Sequence, residues 1–308
     1  MRRRVWLGGA GVLSAAGMGS AMYKISPAFW HQFAREMGRP IASVSHRPRT
    51  QHWSDRGLYA TWLGHSSVLM KIDGFTVITD PVLNDRVGLS LGPLTLGIKR
   101  LTEPALAVRQ LPHVDLILLS HAHMDHLDLP TIRALESRKT TVITAARTRD
   151  LLRYRRFREI RELGWGETVR VGPLQIRGCE VNHWGARMRT DVWRGYNGYL
   201  IEGDRHRVLF AGDTANTDAF RKLRTTRAID LGIFPIGAYN PWVRFHCTPE
   251  QAWSMGNDAR VERFIPVHHQ TFLLGREPTL EPIERFLTAA GADSRRIVMQ
   301  RIGQEVKV

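Results

Sequence analysis

The apolar run Val114-Asp115-Leu116-Ile117-Leu118-Leu119 leads through Ser120 into His121-Ala122-His123-Met124-Asp125-His126-Leu127-Asp128, three imidazoles and two carboxylates in very little chain. Such groups are costly when they are buried without partners at the end of an apolar strand. Imidazole and carboxylate are also good zinc ligands, so a bound metal resolves the conflict. The chain must then fold so that this strand end opens on a metal site completed by ligands from elsewhere. The remaining candidates also follow apolar strand-like runs: His183 after Glu180-Val181-Asn182, Asp213 after Val208-Leu209-Phe210-Ala211-Gly212, and His268 after Phe264-Ile265-Pro266-Val267. Cysteine does not compete for the role. Cys179 and Cys247 are the only two, too few for a thiolate zinc cluster or a disulfide framework.

The pattern around these positions is strands interspersed with helices, the mark of a layered α/β or α+β domain. From Leu58 on, "LYATWLG", "SVLMKID" and "FTVITDP" read as β-strands broken at Gly64-His65 and at Asp73-Gly74, the second a hairpin turn signal. "VITAA", "LQIRGCEV", "GYLIEG", "RVLFAGD", "LGIFPIG" and "RFIPVH" continue the strands. "DLPTIRALESR", capped by Asp128, "NTDAFRKLR", "TPEQAWSMGND" and "LEPIERFLTAAG" have helical periodicity.

The N-terminus is different. Arg2-Arg3-Arg4 precedes an uncharged, glycine-rich run from Val5 to Met22, closed by Lys24, which reads as an export signal of twin-arginine type or a membrane anchor. Residues 1–25 are expected to be that segment, 26–56 a helix ("SPAFWHQFAREMGRP") and linker, and 57–308 the layered domain that carries the histidine-rich motif. The expected location is the inner membrane or periplasm, with the cytoplasm as the alternative. Lys and Arg exceed Asp and Glu by 44 to 29, a net charge of +15 that favours anionic partners such as phospholipid headgroups, nucleic acid or a phosphorylated substrate and does not by itself choose among them.

The stretches "TWLGHSSVLMKIDGFTVITDPVLNDR" at 61–86, "LILLSHAHMDHLD", "NHWGAR", "LFAGDTA", "PIGAYNPW", "HCTPEQA" and "HHQTF" resemble, in order, the metallo-β-lactamase superfamily, and more narrowly its N-acylphosphatidylethanolamine-hydrolysing phospholipase D branch. The resemblance implies an α/β (α+β) fold, the αββα four-layer sandwich, with two zinc ions in a cleft along one edge of the sheets. Iron or manganese would suit the same donors. It implies His121, His123 and His183 as ligands of one ion, Asp125, His126 and His268 as ligands of the other, and Asp213 between them. His268 and His269 are adjacent, and a one-residue shift would exchange them. Asp80 and His65 match positions that orient ligands, and His246 a histidine beside the substrate phosphate. Asp125, Asp213 and His246 are thus the expected catalytic residues, with His246, Arg187 and Tyr239 as substrate contacts. Tyr239 and Trp242 could form part of an apolar wall of the site, with core packing as their ordinary explanation.

The expected reaction is hydrolysis of a phosphodiester by a hydroxide bridging the metals, the substrate being N-acylphosphatidylethanolamine or a related glycerophospholipid. A lactonase or carboxylic-ester hydrolase would use the same donors on a carbonyl. A nuclease would suit the charge, but the large inserted domain of many nucleases of this superfamily has no counterpart here. The oligomeric state is not legible in the sequence.

Overall fold

The computed structural model describes residues 27–308 apart from 93, 154, 155 and 189. The expected signal or anchor at 1–25 lies outside the described residues. Helix α1 (Pro27–Met37) is followed by an antiparallel meander of β1 (Leu58–Gly64), β2 (Ser67–Ile72) and β3 (Phe75–Thr79). Asp73 and Gly74 turn β2 into β3 with φ of 46° and 88°, left-handed values that suit these residue types. Next comes a separate antiparallel hairpin, β4 (Arg86–Leu91) and β5 (Leu94–Lys99). The chain then re-enters the first sheet as β6 (Leu116–Leu119), passes through α2 (Leu129–Ala134), and adds β7 (Thr141–Ala145) and β8 (Glu159–Leu163), all parallel to β3. Every residue of β6 and β7 is buried, which is why these runs are apolar or Thr-rich throughout rather than alternating.

The second sheet is built from β9 (Thr168–Val171), β10 (Leu174–Cys179), β11 (Gly198–Glu202) and β12 (Arg207–Phe210) in antiparallel order. It continues with β13 (Ile229–Pro235) and β14 (Val261–Val267) in parallel, β14 following helix α3 (Pro249–Asp258). Helix α4 (Glu281–Ala290) and β15 (Glu305–Lys307), which pairs with β1, complete the chain. Between the sheets, Trp62, Leu69 and Leu118 share one core with Tyr199, Phe210 and Ile233. The other face of the second sheet buries Leu200, Leu209, Phe234 and Phe264 against Ala252 and Met255 of α3 and Ile283 and Phe286 of α4. The result is the α/β sandwich expected from the sequence.

Two expected helices are shorter than their periodicity. α2 starts where expected, with the Asp128 carboxylate accepting from Thr131 N, but ends at Ala134, and a Ser137–Thr140 turn leads the chain into β7. "NTDAFRKLR" contains only a 3₁₀ turn at Ala219–Leu223. The β4–β5 hairpin, β8, β9 and β15 are additional to the sequence reading. β8 is a largely exposed edge strand, so no apolar alternation marks it. α1 is fastened to the hairpin through Glu36, whose carboxylate is 2.6 Å from Lys99 N, while the Arg86 guanidinium lies 4.7 Å from the centre of the Phe33 ring. Among the described residues no helix is long and apolar enough to cross a membrane. Cys179 and Cys247 are both free and buried.

Candidate metal centre

Strand ends bring the side chains together. His121 and His123 follow β6, His183 follows β10, Asp213 follows β12 and His268 follows β14. His121 Nε2 and His183 Nε2 lie 2.8 and 3.3 Å from His123 Nδ1, forming one group. Asp125 Oδ2 lies 3.4 Å from His126 Nε2 and 3.5 Å from His268 Nε2, forming a second. Asp213 Oδ2 stands between them, 3.0 Å from His126 Nε2, 3.1 Å from His268 Nε2 and 3.9 Å from His183 Nε2. His65, Asp125, His126 and His268 could hold one metal ion, and His121, His123 and His183 another.

The partners behind these rings decide which nitrogen faces the site. His183 Nδ1 donates to Phe245 O at 2.9 Å, and His126 Nδ1 to Asp80 Oδ2 at 2.6 Å, so each Nε2 presents a lone pair inward. Asp80 is fully buried and also accepts from Ser120 N and Ser120 Oγ, at 2.7 and 2.5 Å. His65 Nε2 is 2.9 Å from Asp125 Oδ2 and aims that carboxylate. His65 and His268 have φ of 51° and 63°, a sparsely populated conformation for such residues that the surrounding hydrogen bonds hold. His268 N donates to His65 O, and His65 N to Thr271 Oγ1.

A cation fits this donor set. Both oxygens of buried Asp213, together with His126 Nε2 and His268 Nε2, have no hydrogen-bond partner although they face one another. Atoms bonded at about 2.0–2.2 Å to one ion stand roughly 3–3.5 Å apart, which is close to the separations here. The electrostatics agree. Burial works against ionisation of Asp213, but His126 and His268 outweigh it and hold the carboxyl well below its usual range. Burial also works against a proton on His268, yet Asp213 and Asp125 raise it to about 9. The anionic centre thus takes up positive charge in whatever form is offered. Burial drives His121 and His183 well below the ordinary histidine value, leaving neutral nitrogens for coordination.

Some expected positions fall elsewhere. His269 turns away from the cluster, buried and stacked on Trp62 at 4.6 Å, so His268 is the member of the pair at the centre. His246 faces it, with Nδ1 3.7 Å from Asp213 Oδ2. Arg187 was expected at the substrate, but its Nη1 donates to Ala122 O and Leu127 O, at 3.1 and 2.7 Å, bracing the loop that carries His123, Asp125 and His126. The Tyr239 hydroxyl donates to Glu281 at 2.7 Å and its ring packs under Arg285, so it is spent on α4 rather than on a substrate wall. Trp242 is 50% exposed, so core packing does not describe it. Ser120, which holds Asp80, also borders the site, as does the exposed pair Trp184 and Phe245 at the rim, with ring centres 5.9 Å apart and Trp184 4.7 Å from His123; none of the three was among the residues expected there. Their positions immediately beside His121, His183 and His246 were the available signal.

Comparison with known proteins agrees with this geometry. A β-lactamase superfamily domain matches residues 76–269. An uncharacterised protein of Mycobacterium tuberculosis is 32% identical over 290 residues, covering 90% of this chain and 76% of that protein. An N-acyl-phosphatidylethanolamine-hydrolyzing phospholipase D of Caenorhabditis elegans is 30% identical over 250 residues, 75% of this chain and 69% of that protein. Among solved structures, the metallohydrolase Igni18 of Ignicoccus hospitalis shares the fold, with a TM-score of 0.62 at 19% identity, covering 82% of this chain and 99% of that one. With its histidine and aspartate clusters gathered at the strand ends of an α/β sandwich, the chain belongs to the metallo-β-lactamase superfamily, on the branch of the N-acylphosphatidylethanolamine-hydrolysing phospholipases D, and is a metal-dependent hydrolase.

Proposed function

We propose that the chain is a binuclear zinc phosphodiesterase that hydrolyses N-acylphosphatidylethanolamine or a related glycerophospholipid to phosphatidic acid and the N-acylethanolamine. The observation that carries this reading is the position of Asp213 Oδ2 between the two histidine groups, 3.0 Å from His126 and 3.9 Å from His183, which suits a carboxylate shared by two ions. His121, His123 and His183 would hold one ion, Asp125, His126 and His268 the other. When bound, paired zinc ions acidify water and polarise a phosphoryl oxygen. The protein's part is positioning. Asp80 and the Phe245 carbonyl keep the ring protons of His126 and His183 on the outward nitrogens, and His65 and Arg187 hold Asp125 and its loop in place. His246 faces the same space and would orient a phosphoryl oxygen. In the balanced reaction a water oxygen adds to phosphorus, the P–O bond to the N-acylethanolamine breaks, and a proton from that water ends on the departing alcohol. The similarity to the phospholipase D of Caenorhabditis elegans supports the choice of lipid, and the net charge of +15 suits an anionic membrane surface.

The test combines metal analysis with a substrate panel of N-acylphosphatidylethanolamine vesicles, a simple lactone, a carboxylic ester and DNA. Two zinc ions per chain with turnover of the vesicle lipid, both abolished in Asp213→Ala, are expected. Turnover of the lactone or ester alone would replace the phosphodiesterase reading by the ester-hydrolase one, and full metal and activity in Asp213→Ala would remove Asp213 from the centre.

A further inference from the structure

Between His183 and Tyr196 the chain leaves the second sheet, turns through 185–195 and returns to its own starting point. Gly185 and Gly195 cross so closely that a Cβ on Gly185 would stand 2.3 Å from Gly195 O, the closed neck of an Ω-loop. Burial does little to hold this loop, because its large apolar side chains, Met188, Val192 and Trp193, are 52, 66 and 49% exposed. Polar contacts take over that task, and they converge on Arg194, which is buried. Its guanidinium donates to both oxygens of Asp150, at 2.5 and 2.9 Å, to Asp191 Oδ2 at 2.6 Å and to Arg147 O at 2.7 Å. The other Asp191 oxygen accepts from Met188 N at 2.6 Å, so the clamp reaches both limbs of the loop.

We infer that Arg194 is a positioning residue for the first ion, the one assigned to His121, His123 and His183. Asp150 lies on the 3₁₀ turn Arg149–Leu152 after β7, and Glu162 of β8 accepts from Thr148 N and Arg149 N just before it, at 2.7 and 2.6 Å, so the acceptor is fixed to the first sheet. The loop comes from the second sheet, between β10 and β11. The Arg194–Asp150 pair therefore spans the same gap as the first group of ligands, with His121 and His123 on one side and His183 on the other. The loop and its neck also touch each of those ligands. His183 precedes the neck, the Trp184 ring packs 4.7 Å from the His123 ring, and Tyr196, directly after the neck, bridges to His121. The second group is held by other means: His65 aims Asp125, Asp80 aims His126, and His268 N donates to His65 O. Loss of the Arg194 clamp should then loosen the first site and spare the second. The inference rests on the two-ion reading but not on which ester is cleaved.

The experiment reads zinc binding one site at a time, by chelator competition on the full-length chain. In His268→Ala the ion that remains belongs to the first group, and in His183→Ala to the second. Arg194→Met is expected to lower zinc affinity about 10–100-fold in the His268→Ala background, as for other groups that orient ligands, and to leave it unchanged in the His183→Ala background. Arg194→Lys, which keeps the charge but cannot fork onto a carboxylate, should fall between. Trp184→Ala, at the other end of the same path, should show the first-site loss too, and combining it with Arg194→Met should cost less than the two losses multiplied together. Asp150→Asn removes the fork from the other side, at a half-exposed carboxylate, and takes the place of Arg194→Met if that variant does not fold. Equal losses in both backgrounds, no loss in the first, or losses from Trp184 and Arg194 that multiply in full would overturn the inference and leave the ligands as assigned. A His268→Ala parent that binds no zinc would overturn the ligand assignment, and the inference with it.

Discussion

Asp80→Asn tests whether the groups behind the metal centre control it. The Asp80 carboxylate is fully buried and accepts three hydrogen bonds: from Ser120 N at 2.7 Å on Oδ1, and from Ser120 Oγ and His126 Nδ1, at 2.5 and 2.6 Å, on Oδ2. Burial raises its pKa, while His126 and Ser120 pull it back toward the carboxylate. Asparagine has the same shape and tolerates the φ of 32° found here, so the backbone is not a confounding factor. It has only one acceptor oxygen. If the amide nitrogen takes the place of Oδ1, it meets the Ser120 N–H and leaves two buried donors unpaired. If it takes the place of Oδ2, His126 must move its proton to Nε2, the nitrogen that faces Asp213, and the lone pair needed for coordination is lost. Either arrangement costs about 1–3 kcal/mol as a buried polar group left without a partner. Loss of a group that orients a ligand typically lowers metal affinity or activity about 10–100-fold. Zinc affinity measured by chelator competition should fall by that factor in Asp80→Asn, with kcat/KM following it and the urea midpoint lowered. Wild-type affinity and an unchanged midpoint would refute the argument that Asp80 fixes the His126 tautomer.

His268→Ala should lose metal and most activity, because His268 Nε2 is 3.1 Å from Asp213, whereas His269→Ala should keep both, since that ring is stacked on Trp62; metal analysis of the two variants decides, and the reverse result would move the ligand by one residue. His269 also predicts an acid effect. Burial lowers its pKa to about 3, so below about pH 6.5 the unfolded chain takes up a proton that the folded chain excludes, and stability falls as pH falls toward 3. The loss is about 1.4 kcal/mol per pH unit, or about 2 kcal/mol between pH 6.5 and 5, so His269→Leu should show a correspondingly shallower decline in urea titrations over that range. An identical decline in both proteins would show that His269 is not the source.

Local chemistry was legible in the chain itself. The period and composition of "LILL", "VITAA" and "RVLF" specified buried strands, Asp73-Gly74 a tight turn, and Asp128 a helix cap, because each depends on a few neighbouring residues. The crowding of His121, His123, Asp125 and His126 at one strand end pointed to a metal for the same reason: the cost of burying those groups is already present in a short segment. Where each side chain finally points depends on distant residues. His268 and His269 differ by one position, but at the end of β14 the backbone, with φ of 63° at His268, sends one ring to Asp213 and the other to Trp62. Arg187 and Tyr239 looked like substrate contacts by position, yet long polar side chains bond to whatever acceptor the fold brings near, here the carbonyls of Ala122 and Leu127 and the carboxylate of Glu281. The Arg194 clamp was beyond reach of any local pattern. Arg194 and Asp150 become neighbours only when the loop between β10 and β11 docks beside the end of β7, and the contact they make belongs to no single segment.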